Sequence, residues 1–223
     1  AVLGEGTPFE VEWVSVYTFQ CARLERFVHD HVIFVGDAAH QVSPFGARGG
    51  NSGIQDADNL CWKLARVVRG ESPASLLQTY NDERIEAANE NILNSSRSTD
   101  FITPKSHASR QMRDAVLALS QQHAFARRLV NSGRLSTPTE HRASASSTAD
   151  DDCFNCALMP GAPAVDAPIR AEGRDASLLD QLGGCFELLV FDANEGMANA
   201  LEAEFGRSLR VTRIATERSS SAQ

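Results

Sequence analysis

The sequence predicts an α/β fold built in two pieces. Three observations carry that expectation. His31-Val-Ile-Phe-Val35 is a short apolar run that ends on Gly36, the pattern of a strand buried on both faces. A glycine-rich stretch follows and leads into a long amphipathic helical pattern. Residues 185–214 then read as strand, helix and strand.

Residues 9–19, Phe9-Glu-Val-Glu-Trp-Val-Ser-Val-Tyr-Thr-Phe19, alternate apolar and acidic residues before turning continuously apolar, and they predict a strand with at least one buried face. Trp13, Tyr17 and Phe19 read as core residues rather than as the lining of a pocket. Beyond the glycines, Ile54, Ala57, Cys61, Leu64, Ala65 and Val68 share one helical stripe, which Gly70 ends. Ser72 and Pro73 provide an N-cap and a first-turn proline for a second helix, with Leu76, Leu77, Tyr80, Ile85, Ala88 and Ile92 on its apolar face. A third helix is expected from about residue 107 to 131.

Residues 136–152 hold no large apolar side chain and predict a flexible linker, since nothing there offsets the ordering entropy. The chain thus divides into residues 1–135, the linker, and a smaller unit at 153–223. In that unit residues 185–191, 197–205 and 209–214 form the expected β-α-β segment, which is short for an independent domain.

Composition excludes several classes. Across 223 residues there are 29 acidic and 21 basic side chains, a net charge of −8, so binding along a nucleic-acid backbone is not expected. No apolar run is long enough to cross a bilayer. Five cysteines and no secretory signal favour a reducing, cytoplasmic setting. Cys153 and Cys156 have the spacing of a dithiol or half a zinc site. They follow a polar segment rather than a strand, so redox chemistry and metal binding are both disfavoured, and no metal site is expected.

The chemistry concentrates at residues 36–56, where Gly36-Asp-Ala-Ala-His40 follows the predicted strand and Gly46, Gly49, Gly50 and Gly53 precede the helix. A carboxylate just past a strand end can accept hydrogen bonds from sugar-like hydroxyls. Glycines before a helix let backbone N–H groups and the positive end of the helix dipole meet an anionic or electron-rich ligand. These residues point to a nucleotide-type cofactor without saying which.

The stretch 32–70, with Tyr80-x-x-Glu83-Arg84, resembles the second FAD-binding motif of the single-component flavin-dependent aromatic hydroxylases. Gly36-Asp-Ala-Ala-His40, Pro44, Gly49-Gly50-Asn51 and Asp56-Ala-Asp-Asn-Leu-Cys-Trp-Lys-Leu64 carry the likeness. The resemblance implies the C-terminal portion of a Rossmann-like FAD-binding hydroxylase domain. It implies FAD and NAD(P)H as cofactors, a small phenolic substrate and oxygen, hydroxylation through a flavin C4a-hydroperoxide, and room for a homodimer.

By motif position, the resemblance implies cofactor-binding roles for Gly36, Asp37, Pro44, Gly46, Gly49, Gly50 and Asn51. Asp37 would bind the ribityl chain, and Pro44, the implied catalytic position, would offer its carbonyl near the flavin edge where oxygen reacts. His40 reads as structural, and Tyr80, Glu83 and Arg84 as a lock on the helix beneath the flavin. Ala47-Arg-Gly-Gly-Asn51 departs from the family's Gly-Gln-Gly-Met-Asn, and Arg48 is expected either to face solvent, the preferred reading, or to alter flavin mobility. Residues 157–223 resemble the thioredoxin-like extension of phenol-hydroxylase-type members, in truncated form, through Met159-Pro-Gly161, Pro168, Leu178-Leu-Asp-Gln-Leu182 and Phe186-Glu-Leu-Leu189.

The family's Gly-x-Gly-x-x-Gly fingerprint is absent from these residues. The expectation is therefore a piece of a monooxygenase that is inactive alone. The rival readings are an interaction or oligomerisation module derived from such an enzyme, and a dithiol redox protein built on Cys153 and Cys156.

Overall fold

The computed structural model describes residues 6–130, 133, 137–148, 159–171, 173–191 and 195–214. The chain divides into two compact units, residues 1–163 and 164–223.

In the first unit, four two-residue strands surround the start of the helical region: β1 (Ala22–Arg23), β2 (Val28–His29), β3 (Val32–Ile33) and β4 (His40–Gln41). β2 and β3 form an antiparallel hairpin whose turn holds Asp30 at φ 50°, and β1 pairs antiparallel with β4. A 3-10 turn, Gly36–Ala38, joins β3 to β4. Helices α1 (Arg48–Val68) and α2 (Leu76–Ile102) pack together, followed by α3 (His107–Ser120) and α4 (Ala124–Val130).

The core sits between the β2–β3 hairpin, α1 and α2. Phe27, Val28, Ala39, Leu60, Tyr80 and Ala88 are buried there, with Ile33, Phe34, Leu77 and Ile85 packed against them. Two side chains on α2 anchor the strands polar atom by polar atom. The Asn81 Oδ1 accepts the backbone N–H of Phe27 at 2.8 Å, and the Tyr80 hydroxyl donates to the Phe34 carbonyl at 2.7 Å. Burial pushes the Tyr80 phenol well above its ordinary pKa, so it remains a donor.

Several expectations are corrected here. Residues 9–19 form no strand, and Trp13, Tyr17 and Phe19 are exposed, Trp13 by 77%. Alternation identifies a segment able to line a sheet; it does not supply the neighbouring strand that would cover it. Residues 31–35 pair only at β3, in an antiparallel hairpin rather than a parallel sheet, and Val32 and Val35 are exposed.

The larger surprise is the orientation of α1. Its buried residues are Arg48, Ser52, Asp56, Leu60 and Lys63, while Ile54, Cys61, Leu64 and Val68 of the apolar stripe face outward. Hydrophobic periodicity reports where the apolar face lies, but here a hydrogen-bonded polar network occupies the inner face. α2 starts at Leu76 rather than beside Pro73, because residues 73–75 close a turn with carbonyl acceptors for Leu76, Leu77 and Gln78. The expected third helix is two, interrupted at 121–123.

The segment 136–152 was expected to be flexible. Its described part, 137–148, is held against α2 by hydrogen bonds: Thr139 donates to Glu90 at 2.8 Å, and Ser144, which is buried, donates to Glu83. The entropy argument weighs apolar burial alone and misses a polar segment that finds charged acceptors.

The second unit contains a hairpin, β5 (Pro168–Ala171) with β6 (Arg174–Ser177), that the sequence reading did not anticipate. β7 (Phe186–Phe191) and β8 (Leu209–Ile214) pair in parallel with α5 (Glu195–Phe205) between them in sequence, as expected. The Glu187 carboxylate receives Arg210 at 2.8 Å across the pair. Cys153 and Cys156 lie outside the described residues. No helix among those described is long and apolar enough to cross a membrane.

Tyr80→Phe removes one part-buried hydrogen bond and takes this donor from the Phe34 carbonyl. We expect a loss of about 1–3 kcal/mol in urea unfolding with an unchanged m-value.

Candidate functional site

The glycine-rich stretch creates its shape through three backbone choices. Gly36 takes φ 57°, which a glycine adopts without strain, and its Cα lies close to Gly53 of α1, where an added Cβ would come within 3.4 Å. Gly46 and Ala47 both take positive φ, 92° and 52°, which turns the chain sharply into α1. Arg48, Gly49 and Gly50 then form the first turn, whose N–H groups have no acceptor one turn earlier in the helix.

An open cleft of about 750 Å³ lies against this turn. Asp37, Ser43, Pro44, Arg48, Gly49 and Gly50 line it, with Tyr17 and Phe19 from the segment before β1. The two rings stack with centroids 5.9 Å apart. Asp37 is exposed to solvent at the cleft, and a Cβ built on Gly50 would meet nothing within 4 Å.

Of the residues singled out in the sequence, the fold brings Asp37, Pro44, Gly49 and Gly50 together at the cleft. The Pro44 carbonyl accepts the Ala47 N–H at 3.1 Å. Gly36, Gly46 and Asn51 lie outside the lining and shape the backbone around it: the Asn51 side chain donates to the Ala47 carbonyl at 2.8 Å, tying the turn to α1. Arg48, expected in solvent, is nine-tenths buried and donates to the Thr137 carbonyl at 2.9 Å.

Behind the cleft stands a network that the sequence reading only partly foresaw. Asp56, fully buried, accepts from the Gly36 N–H at 2.8 Å, from His40 Nε2 at 2.7 Å and from Arg84 Nε at 2.6 Å. Arg84 also reaches Ser52, whose hydroxyl is shared with Asn91. His40 and Arg84 thus both hold the buried Asp56 carboxylate. Asp56 itself stood in the quoted motif without a role; a carboxylate one helical turn beyond Ser52 on α1, opposite an arginine on α2, was the available signal.

Electrostatics follow from these contacts. Burial pushes the Asp56 carboxyl upward, but the hydrogen bond from His40, the charge and hydrogen bond of Arg84 and the Gly36 N–H together hold it below its ordinary value of 3.8. A second buried pair, Lys63 with Glu83 at 2.7 Å, carries hydrogen bonds from Asn59 and Ser144 to the same carboxylate. For Glu83, too, burial raises the pKa and the bonds from Lys63, Ser144 and Asn59 outweigh it, for a net lowering.

Because the folded pKa of Asp56 is depressed, its stabilisation is present in full above about pH 4 and disappears as the pH falls through the folded value. Asp56→Asn leaves Arg84 without its charge partner and is expected to cost about 3–5 kcal/mol at neutral pH. Urea midpoints measured from neutral to acid pH should fall less steeply for the variant; an equal acid slope would mean that Asp56 is not the group being titrated.

Residues 2–95 match the FAD binding domain family. The chain is 38% identical over 112 residues to the 3-(3-hydroxy-phenyl)propionate/3-hydroxycinnamic acid hydroxylase of Comamonas testosteroni, covering 49% of this chain and 19% of that protein. It is 30% identical over 203 residues to the 4-methyl-5-nitrocatechol 5-monooxygenase of a Burkholderia species, covering 86% of this chain and 34% of the relative. Among solved structures, the rebeccamycin biosynthetic enzyme RebC with reduced flavin superposes with a TM-score of 0.66 at 26% identity, over 86% of this chain and 38% of that one. The chain thus spans at most about a third of the length of these curated relatives. Residues 2–95 are thus similar to the FAD binding domain, and the chain is similar to part of the hydroxylases and monooxygenases named here.

Proposed function

We propose that these residues form the ring-binding side of the FAD site in a monooxygenase that uses NAD(P)H and oxygen to hydroxylate a phenolic ring. The observation that carries this reading is the cleft, which gathers Asp37, Pro44, Gly49 and Gly50 at the N-terminus of α1. The lining suits the cofactor: one exposed carboxylate for hydroxyl groups, the first turn of α1 at Gly49 and Gly50 for an electron-rich ring edge, and a glycine whose missing side chain leaves the approach open.

FAD, when bound, supplies the hydride acceptance and oxygen activation. The chain's own contribution is binding and orientation. Asp37 accepts hydrogen bonds from the cofactor's polyol. The N–H groups of the first turn of α1 stabilise negative charge on the ring they face. Asp56 keeps Gly36 and α1 in fixed register, so Asp37 and Gly50 hold their separation.

On this reading the Gly-x-Gly-x-x-Gly sequence that binds the cofactor's pyrophosphate lies outside these 223 residues, and further polypeptide covers the apolar residues of 9–19 and the outward stripe of α1. The second unit serves as a thioredoxin-like extension for packing. The parallel pairing of β7 and β8 around α5 supports that assignment.

Two experiments test the proposal. The purified 223-residue chain should be colourless and bind FAD weakly or not at all; a yellow preparation with stoichiometric FAD would contradict the division of the site. In a flavin-loaded enzyme that contains these residues, Asp37→Ala should weaken FAD binding by about 1–3 kcal/mol. There Gly50→Val should slow flavin reduction in stopped-flow measurements while Gly50→Met stays mild; a Val variant with parental rate and FAD content would show that this turn does not meet the cofactor.

A further inference from the structure

Part of the cleft lining is aromatic and takes no part in holding the cofactor as proposed above. Tyr17 and Phe19, which the sequence assigns to a core, are 74% and 55% exposed, and they line the cleft together with Thr18 and Gln20. Side chains two residues apart in an extended chain share one side. The two rings do so, stacking with centroids 5.9 Å apart and planes 22° from parallel. Of residues 9–19 only 17–19 reach the lining, so this pair belongs to the cleft and not to the apolar run before it.

Exposed ring surface is unfavourable in water, and beside a concave space edged with polar groups it marks a binding site. The polar groups here are of a definite kind. Gln20 and Gln41, whose amides both donate and accept, are in the lining, and Tyr17 carries its own hydroxyl. A flat ring with a neutral hydrogen-bonding substituent matches both features. The volume of about 750 Å³ also falls within the roughly 300–1,000 Å³ usual for small-molecule sites.

We propose that Tyr17 and Phe19 form the stacking surface for the aromatic ring of the substrate, and that they set the affinity for the substrate and not for the cofactor. That the ring is a substrate's rests on the function proposed above; that the pair binds a phenolic ring does not. The cofactor's polyol and electron-rich edge are assigned to Asp37 and the first turn of α1, whereas Tyr17 and Phe19 come from the separate segment before β1. They recognise a ring through its area and through the offset or edge-to-face arrangement that aromatic groups prefer.

Phenol itself probes this surface on the 223-residue chain without any cofactor. In an NMR titration the amides of residues 17–20, Gly49 and Gly50 should shift together and saturably. Both aromatic positions are exposed, so the double variant Tyr17→Leu/Phe19→Leu should fold, as circular dichroism would confirm, and should weaken phenol binding about tenfold. Tyr17→Phe, which keeps the ring, should stay within about twofold of the parent. Equal shifts at other exposed apolar residues such as Ile54 and Val68, or unchanged affinity in the double variant, would overturn the proposal.

The substrate assignment is read in a flavin-loaded enzyme containing these residues. There the double variant should raise KM for a phenolic substrate about tenfold and leave FAD affinity unchanged. Weakened FAD binding with an unchanged KM would give the surface to the flavin ring and overturn the assignment to substrate. An enzyme that takes up no flavin at all would instead overturn the functional reading, and the phenol titration would still decide whether Tyr17 and Phe19 bind a ring.

Discussion

The Asp56 carboxylate ties together everything that gives this structure a site. It is fully buried, and its contacts come from three separate parts of the chain: the Gly36 N–H at the end of the strand region, His40 on β4, and Arg84 on α2. A buried carboxylate is costly unless charge and hydrogen bonds compensate for its lost hydration. Here the compensation also defines geometry, because each bond fixes the position of another element relative to α1. The tight turn at Gly36, its approach to Gly53 and the location of Asp37 at the cleft all depend on it.

This arrangement explains why α1 presents polar residues to the interior of its unit. Ser52, Asp56 and Lys63 form an inward row, met on α2 by Arg84, Asn91 and Glu83. Directional bonds of this kind specify one register between the two helices, where an apolar seam would tolerate several. The apolar stripe of the same helix faces outward. The polar interior serves the cleft, since the first turn of α1 can approach a ligand only if the helix behind it does not shift.

The second unit follows different rules. Its parallel pair, β7 with β8, is closed by regular ladder bonds and by Glu187 with Arg210, and Val190, Leu178 and Ala198 are the buried apolar residues among those described.

Local information in the sequence determined a good deal. Helical periodicity located α2 and those of its inner residues, Tyr80 and Ala88, that pack on apolar neighbours. The apolar runs at 186–191 and 209–214 located β7 and β8, and the stretch between them located α5. The glycines with the aspartate at 37 located the cleft, since only a chain that must turn sharply or admit a ligand concentrates them so. What the sequence could not decide was which face of α1 turns inward and whether residues 137–148 lie free. Both depend on ion pairs and hydrogen bonds between residues tens of positions apart, Asp56 with Arg84 and Glu83 with Ser144. Hydrophobic pattern carries no information about such pairs, so only the tertiary structure could bring them together.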